Sequence, residues 1–226
     1  VSAMGFRVKE AQNGIDKAVK KGATAYDAKA GGHELQLPAI YGIGNSVIYF
    51  VERKDNKTNY DHEFEPLAAA AKPNVAPGLL YLDHVTHNLH RGNMDKLSKF
   101  YEDVFNFKQI RYFDIEGKLT GLRSHAMTAP CGKIRIPLNE SVDDKSQIEE
   151  FLRDYNGEGI QHIALGIKDI YNGIEMLKDN GIEFLDTPDT YYNKVDKRLP
   201  NHGEDLPRLQ KNRILIDGNI EHGPKL

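Results

Sequence analysis

The sequence of 226 residues is poor in several features that mark particular classes of protein. Its single cysteine, Cys131, excludes an intrachain disulfide framework and a cysteine-based zinc site. No apolar run approaches the roughly 20 residues that a membrane-spanning helix needs, and no signal peptide is visible. The net charge of −3 gives no electrostatic basis for binding nucleic acid. We therefore expect a cytoplasmic protein whose partners include neither nucleic acid nor a membrane.

The composition is that of a folded globular protein, with 39% hydrophobic and 28% charged residues. Val1 is not a natural start residue, so we expect the chain to begin inside a longer protein. A run of alanines and two prolines after Leu67 breaks the periodic pattern and predicts a connector. We predict three parts, at residues 1–67, 68–78 and 79–226.

The strongest structural signal is an internal repeat. Asn13-Gly14-Ile15 recurs as Asn172-Gly173-Ile174, and each copy lies in a pattern of strand, helix and glycine. The strand at 79–89 and the amphipathic helix after it give a third, looser copy. Repeated units of this kind predict an α+β fold in which βαβββ modules pack in pairs and form two cupped barrels.

Hydrophobic periodicity and capping residues predict the individual elements. Strands are predicted at 1–8, 35–40, 42–53, 79–89, 108–115, 119–127, 133–138, 159–167, 183–185 and 213–217. Helices are predicted at 11–21, 94–105, 147–154 and 170–180, with short helices near 191–199.

Two of the predicted strands each carry a histidine that could bind a metal ion. His84 lies in LDHVTHN and His162 lies in GIQHIAL, which reads as a buried strand. Two histidines and one carboxylate form the metal site of non-haem Fe(II) oxygenases. Each ring could instead be a core histidine bonded to a carbonyl group, but the repeat puts both on equivalent strands. Ala3 stands at the position of His162 in the first copy, so we predict one functional and one structural barrel.

The other polar candidates allow two interpretations each. Strand alternation turns His87 away from His84, and we interpret His87 and His90 as surface or supporting residues. Asp83 either supports His84 or is a surface charge. The remaining histidines are predicted to be solvated: His33, His62, His125, His202 and His222. Four polar residues are either turn formers and caps or hydrogen-bonding groups of an apolar cavity: Ser124, Asn139, Gln147 and Gln161.

Four motifs in sequence order resemble the 4-hydroxyphenylpyruvate dioxygenase family, which has the vicinal-oxygen-chelate, or glyoxalase-like, fold. They are LDHVTHNL, PLNES, KSQI and GEGIQHIAL, and the segments PAIYGIGNSVIYFVER and RILIDG extend the resemblance over essentially the whole chain. The resemblance implies that His84 and His162 bind Fe(II). It implies a substrate pocket that contains Ser124, Asn139, Gln147 and Gln161. The implied reaction converts 4-hydroxyphenylpyruvate and O₂ to homogentisate and CO₂ in tyrosine catabolism.

The family's third metal ligand is a glutamate on a late strand, which we expect beyond Leu226. On this resemblance the chain is truncated at both ends, and we expect it to be inactive alone. The family also implies a homo-oligomer. The alternatives are a hydroxymandelate synthase-type dioxygenase, a glyoxalase-type isomerase or lyase, and a non-catalytic small-molecule-binding module of the same fold.

Overall fold

A computed structural model describes residues 1–27, 31, 35–53, 57–58, 60–65, 76–116, 121–219 and 223–225. The chain divides into two compact units, the first comprising 1–70 and 82–164 and the second 71–81 and 165–226. The predicted connector falls mostly outside the described residues, so the division at 1–67, 68–78 and 79–226 stays a prediction. Among the described helices, none has the length and apolar character that crossing a membrane requires.

The first module has the predicted βαβββ order. It consists of β1 (Ala3–Val8), α1 (Ala11–Lys20), β2 (Ala25–Tyr26), β3 (Ala39–Tyr41) and β4 (Val47–Glu52). The strands form one sheet in the order β1-β4-β3-β2, in which β4 runs parallel to β1. Gly22, with φ of +97°, follows the end of α1 as predicted. Strand β3 covers only the end of the strand predicted at 35–40.

The second module repeats this order after a short helix, α2 (Tyr60–Glu63). It consists of β5 (Leu79–Leu89), α3 (Met94–Phe105), β6 (Lys108–Glu116), β7 (Gly121–Thr128) and β8 (Arg135–Ser141). Its last strand, β8, again runs parallel to its first strand, β5, while β6, β7 and β8 pair in antiparallel fashion. The α+β class and the repeated βαβββ modules are therefore confirmed.

A third strand–helix pair begins after the second module. Helix α4 (Gln147–Asp154) leads to β9 (Gly159–Ile167), which lies beside β5 in a sheet of order β6-β7-β8-β5-β9. Helix α4 starts where predicted, because the Ser146 hydroxyl accepts a hydrogen bond from the backbone N–H of Glu149 at 3.3 Å. Helix α5 (Ile170–Asp179) follows β9, as the repeat requires.

An aromatic cluster forms the centre of the first unit's core and joins its two modules. Phe6 of β1 and Phe50 of β4 pack on Phe105 of α3, with ring centroids 5.0 and 6.1 Å apart. Tyr101, also on α3, is fully buried and packs on Phe107. Because each such side chain stabilises the fold by roughly 1.5–3 kcal/mol when buried, this cluster holds the modules together.

The strand predicted at 42–53 begins later than expected. Ile43–Asn45 forms a 3₁₀ turn, in which Gly44 and Asn45 have φ of +53° and +62°. This left-handed backbone is incompatible with a strand. A Cβ added to Gly44 would overlap the carbonyl group of Glu158, so only glycine allows the turn to approach the residue before β9.

The second unit contains three short helices and a hairpin. They are α6 (Asp189–Tyr192), α7 (Val195–Arg198), α8 (Leu206–Asn212), β10 (Asp217–Asn219) and β11 (Gly223–Lys225). Helices α6 and α7 lie where short helices were predicted, whereas α8 was not predicted.

The strands predicted at 183–185 and 213–217 are not formed, although these residues are described, and only the last of them enters β10. Ile214 and Ile216 are buried and the residue between them is exposed, so the alternation itself is present. The backbone of Ile216 bonds to a side chain instead of a strand. Its N–H donates to the Tyr191 hydroxyl at 3.0 Å, and that hydroxyl donates to its carbonyl oxygen at 2.8 Å.

His87 lies in the core rather than at the surface, which corrects one interpretation of this residue. Its side chain is fully buried, and its Nε2 atom lies 2.8 Å from the hydroxyl of Tyr101 on α3. The alternation of side chains along β5 had indicated that the His87 ring turns away from His84. It did not indicate that α3 covers the face of β5 on which His87 lies. Burial lowers the pKa of His87 to about 4, because the charged ring would lose its hydration.

We predict that His87 makes the fold sensitive to acid. Its pKa is about 4 in the folded protein and 6.5 ordinarily, so the unfolded chain takes up the proton first as the pH falls. The contribution to the free energy of unfolding is complete above pH 6.5 and is lost between there and about pH 4, up to about 3 kcal/mol. Denaturant titrations measure the free energy of unfolding at each pH. In His87→Gln this free energy should vary less between about pH 4 and pH 6.5, whereas His62→Gln, at an exposed position, should keep the original pH dependence. Equal pH slopes for His87→Gln and the unsubstituted protein would contradict the prediction.

Candidate functional site

The two histidines that the sequence singled out lie ring to ring in the first unit. His84 projects from β5 and His162 from β9, and their Nε2 atoms are 3.3 Å apart. The adjacency of these two strands brings the rings together across 78 residues of sequence. The expectation that His162 is buried is wrong, because β9 is an edge strand and its residues from Gln161 to Ile163 are exposed.

Each imidazole is held through its other nitrogen. The Nδ1 atom of His84 lies 2.9 Å from the carboxylate of Asp83, and Nδ1 of His162 contacts the side-chain oxygen of Gln161. Both oxygens can only accept, so Nδ1 carries the proton in each ring and Nε2 keeps its lone pair. Asp83 therefore supports His84. Alternation had indicated that Gln161 points away from its neighbour, and its contact with His162 was not predicted.

The facing Nε2 atoms fit a bound metal ion. Two nitrogens bound to one ion at about 2.1 Å each lie at most about 4.2 Å apart, and the observed 3.3 Å satisfies that limit. Partial burial lowers the pKa of His162, and the nearby His84 lowers it further. Both effects favour the neutral ring, which is the form that binds metals. Within the described residues no third histidine, cysteine, aspartate or glutamate is placed to hold the same metal ion as the pair. The carboxylate ligand expected beyond Leu226 stays a prediction.

Thr86 is a further group at this pair that sequence reasoning did not find. It is fully buried, and its hydroxyl oxygen lies 3.0 Å from Nε2 of His162. Thr86 follows His84 by two residues on the same strand, so both side chains lie on one face. That spacing was the signal that could have identified it.

Arg135 holds Asp83, the residue that supports His84. Asp83 accepts a hydrogen bond at 2.6 Å from Arg135, the first residue of β8. Ion pairs as exposed as this one contribute little to stability, typically below about 1 kcal/mol. Its effect is on orientation, because carboxylates that accept from the second nitrogen of a metal-binding histidine fix the angle of the ring.

A cavity of about 440 Å³ opens beside His162. Three of the four predicted pocket residues line it: Asn139, Gln147 and Gln161. Helix α4 presents its first residue there, since its N-cap Ser146 is held by the hydroxyl of Ser141 at 2.7 Å. The fourth predicted residue, Ser124, is buried on β7 directly opposite Asn139 and lies beside the lining.

The other described histidines take no part in the pair. His125 and His202 were predicted to be solvated, which is wrong in both cases. His125 is buried with its Nδ1 2.8 Å from the hydroxyl of Ser98 on α3, and the side chain of His202 is 6% exposed beside Asp196. Of these other histidines, His62 and His90 are exposed. The histidines outside the described residues are His33 and His222.

Two family models match the chain. The model of the Glyoxalase/Bleomycin resistance protein/Dioxygenase superfamily matches residues 81–196. The model of the N-terminal part of hydroxyphenylpyruvate dioxygenase matches residues 1–65. Together they cover the two observed modules and confirm the resemblance that the motifs indicated.

Individual relatives extend the comparison. The chain is 56% identical over 222 residues to hemolysin VllY of Vibrio vulnificus, covering 96% of the chain and 62% of that protein. It is 55% identical over 216 residues to a 4-hydroxyphenylpyruvate dioxygenase of Pseudomonas aeruginosa, covering 96% of the chain and 60% of that protein. A solved mutant of 4-hydroxymandelate synthase from Streptomyces coelicolor superimposes with a TM-score of 0.78 at 26% identity, covering 99% of the chain and 62% of that structure. The chain thus spans about three fifths of the length of these relatives.

We predict that Asp83 determines how firmly the histidine pair binds a divalent metal. Asp83→Asn removes the carboxylate that fixes the Nδ1 proton of His84, so metal affinity of the full-length protein should fall about 10- to 100-fold in calorimetric titrations with Fe(II). Asp114→Asn is the matched control, because Asp114 forms a similar pair with Arg123 on other strands, at 3.8 Å. It should leave the affinity unchanged. Equal affinities for Asp83→Asn and the unsubstituted protein would disprove the supporting role.

Proposed function

This chain belongs to the Glyoxalase/Bleomycin resistance protein/Dioxygenase superfamily, and from that premise we propose that it forms the histidine-bearing part of a 4-hydroxyphenylpyruvate dioxygenase. The reaction converts 4-hydroxyphenylpyruvate and O₂ to homogentisate and CO₂. One observation carries the proposal: two anchored imidazoles face each other with Nε2 atoms 3.3 Å apart, beside a polar-lined cavity. Relatives named 4-hydroxyphenylpyruvate dioxygenase, at 47–55% identity, support this choice of substrate.

Fe(II) is the proposed metal. His84 and His162 would hold it through Nε2, and the predicted glutamate beyond Leu226 would complete a set of two histidines and one carboxylate. When bound, Fe(II) supplies the dioxygen chemistry that no side chain can perform. Asp83 and Gln161 keep the ring protons on Nδ1, so that both Nε2 lone pairs stay available to the metal.

The cavity is proposed to bind and orient the substrate. Its volume of about 440 Å³ lies within the range of small-molecule pockets, roughly 300–1,000 Å³. Leu122 and Ile148 supply apolar surface for an aromatic ring. The side-chain amides supply donors and acceptors for the polar ends of the molecule: Asn139, Gln147 and Gln161. Ser124, opposite Asn139, is proposed to support the same set.

A second candidate is a 4-hydroxymandelate synthase-type dioxygenase. It is favoured by the TM-score of 0.78 to a structure of that name over 99% of the chain. The two candidates differ in their product, so product analysis separates them. A non-catalytic binding module is a third candidate, which requires that ligand binding be independent of His162.

We also propose that the working assembly is a cytoplasmic homo-oligomer. Strand β6 is an edge of the five-stranded sheet and carries three exposed apolar side chains: Ile110, Tyr112 and Phe113. Unpaired edges with apolar side chains favour pairing with another chain. An exposed free cysteine, Cys131, suits the reducing cytoplasm.

We predict that the full-length protein, loaded with Fe(II), consumes oxygen when 4-hydroxyphenylpyruvate is added and releases homogentisate. An oxygen electrode and chromatography of the products measure both events. Accumulation of 4-hydroxymandelate would identify the second candidate instead. Absence of oxygen uptake would exclude both dioxygenases.

The histidine pair provides the matched variants for this assay. His162→Ala removes one of the two nitrogens and should reduce oxygen uptake to the background rate. His90→Ala should leave the rate unchanged, because the His90 ring is exposed and the substitution keeps the backbone N–H that donates to Glu158 at 3.0 Å. Full activity of His162→Ala would contradict the assignment of this metal site.

A further inference from the structure

Asn88 is a buried polar residue in the cavity wall whose presence is not explained by the fold. It lies on β5, is 3% exposed, and lines the cavity together with Asn139 and Gln161. In the part of the chain that the structure describes, its Oδ1 atom has no hydrogen-bond partner. A buried acceptor without a donor costs about 1–3 kcal/mol. Such a group in a native protein requires an explanation, and a ligand of the cavity is one.

Asn88 completes a polar row that crosses three strands. It stands opposite Asn139 of β8, and Asn139 stands opposite Ser124 of β7. Side chains in register on neighbouring strands lie on the same face of the sheet. The sequence had identified two members of this row, and the third is the member with an unpaired acceptor at the cavity.

The unpaired acceptor of Asn88 identifies the end of the substrate that it can bind. His84, Thr86 and Asn88 alternate on one face of β5. At about 3.3 Å per residue, the Cα atom of Asn88 is about 13 Å from that of His84. Nε2 of His162 lies 3.0 Å from the Thr86 hydroxyl, two residues from Asn88, but the carboxylate and keto oxygens of a 2-oxo acid can only accept and so offer Oδ1 of Asn88 no hydrogen bond. The hydroxyl on the aromatic ring of the same molecule is a hydrogen-bond donor, which is the group that Oδ1 lacks.

We propose that Asn88 binds the phenol hydroxyl of the substrate, with Oδ1 accepting the hydrogen bond that the phenol donates. This inference rests on the proposed function, because it takes an aromatic 2-oxo acid as the ligand. The phenol supplies the donor that the buried oxygen lacks. Asn88 thereby selects ligands with a hydroxylated ring over ligands with an unsubstituted one.

The test compares 4-hydroxyphenylpyruvate with phenylpyruvate, which lacks the hydroxyl. Calorimetry on the Fe(II)-loaded full-length protein without oxygen measures the affinity for each ligand in the absence of turnover. Asn88→Leu should weaken binding of 4-hydroxyphenylpyruvate about tenfold and leave binding of phenylpyruvate unchanged, because only the former loses a hydrogen bond. Asn88→Asp keeps an acceptor and should retain the preference. An equal loss for both ligands, or an unchanged preference in Asn88→Leu, would overturn the proposal.

Thermal unfolding distinguishes a binding role from a structural one. Leucine in place of an unpaired buried amide removes a desolvation cost, so Asn88→Leu should unfold at no lower temperature than the unsubstituted protein. A lower unfolding temperature together with weaker binding of both ligands would identify Asn88 as structural and refute the proposal. The matched control is Ser46→Ala, since the Ser46 hydroxyl is buried and also has no partner among the described residues, but lies outside this cavity. It should leave both affinities unchanged.

Oxygen uptake is measured separately, so that the two proposals fail independently. A protein that prefers the hydroxylated ligand through Asn88 but consumes no oxygen would refute the dioxygenase and retain the role of Asn88. A protein that consumes oxygen but keeps its preference in Asn88→Leu would do the reverse.

Discussion

Strand β9 lies beside strand β5, and the candidate site depends on that adjacency. No local motif joins His84 to His162, which are 78 residues apart. They meet because β8 closes the second module on one side of β5 and leaves the other side for β9. The same arrangement brings Thr86 and Asn88 to groups on the neighbouring strands. A strand with partners on both sides is a more precise support for ligands than a loop is.

Much of the fold could be predicted because hydrophobic period and caps are local properties of the sequence. The predicted elements at 79–89, 94–105 and 159–167 have the observed bounds, and the cap at Ser146 forms as expected. The failures have a common physical cause. A period shows which side chains turn inward, but it does not show what covers them or where the backbone finds its partners. Ile216 alternates like a strand residue, yet it is bonded to a side-chain hydroxyl.

The candidate site also has a part that the sequence could predict and a part that it could not. The histidine pair could be predicted, since the repeat and the family motifs point to the same two positions. Thr86 and Asn88, which lie between the rings and the cavity, could not be predicted. In sequence they look like ordinary polar residues of a half-exposed strand. Their burial follows only once β8 and β9 are placed beside β5. His87 shows the converse, as a histidine that looks solvated in sequence lies in the core beneath a helix.

The turn at Gly44 connects the first module to the strand that carries His162. It rests against the carbonyl of Glu158, whose carboxylate accepts from the backbone of His90 at 3.0 Å and from the side chain of Asn93 at 2.7 Å. The end of β5 and the beginning of β9 are thus tied to one residue, and that residue abuts the first module. A single methyl group at position 44 would overlap the Glu158 backbone, so this junction at the start of β9 would have to shift. The first module offers Ala3 in place of an imidazole, but its turn borders the start of the strand that carries His162.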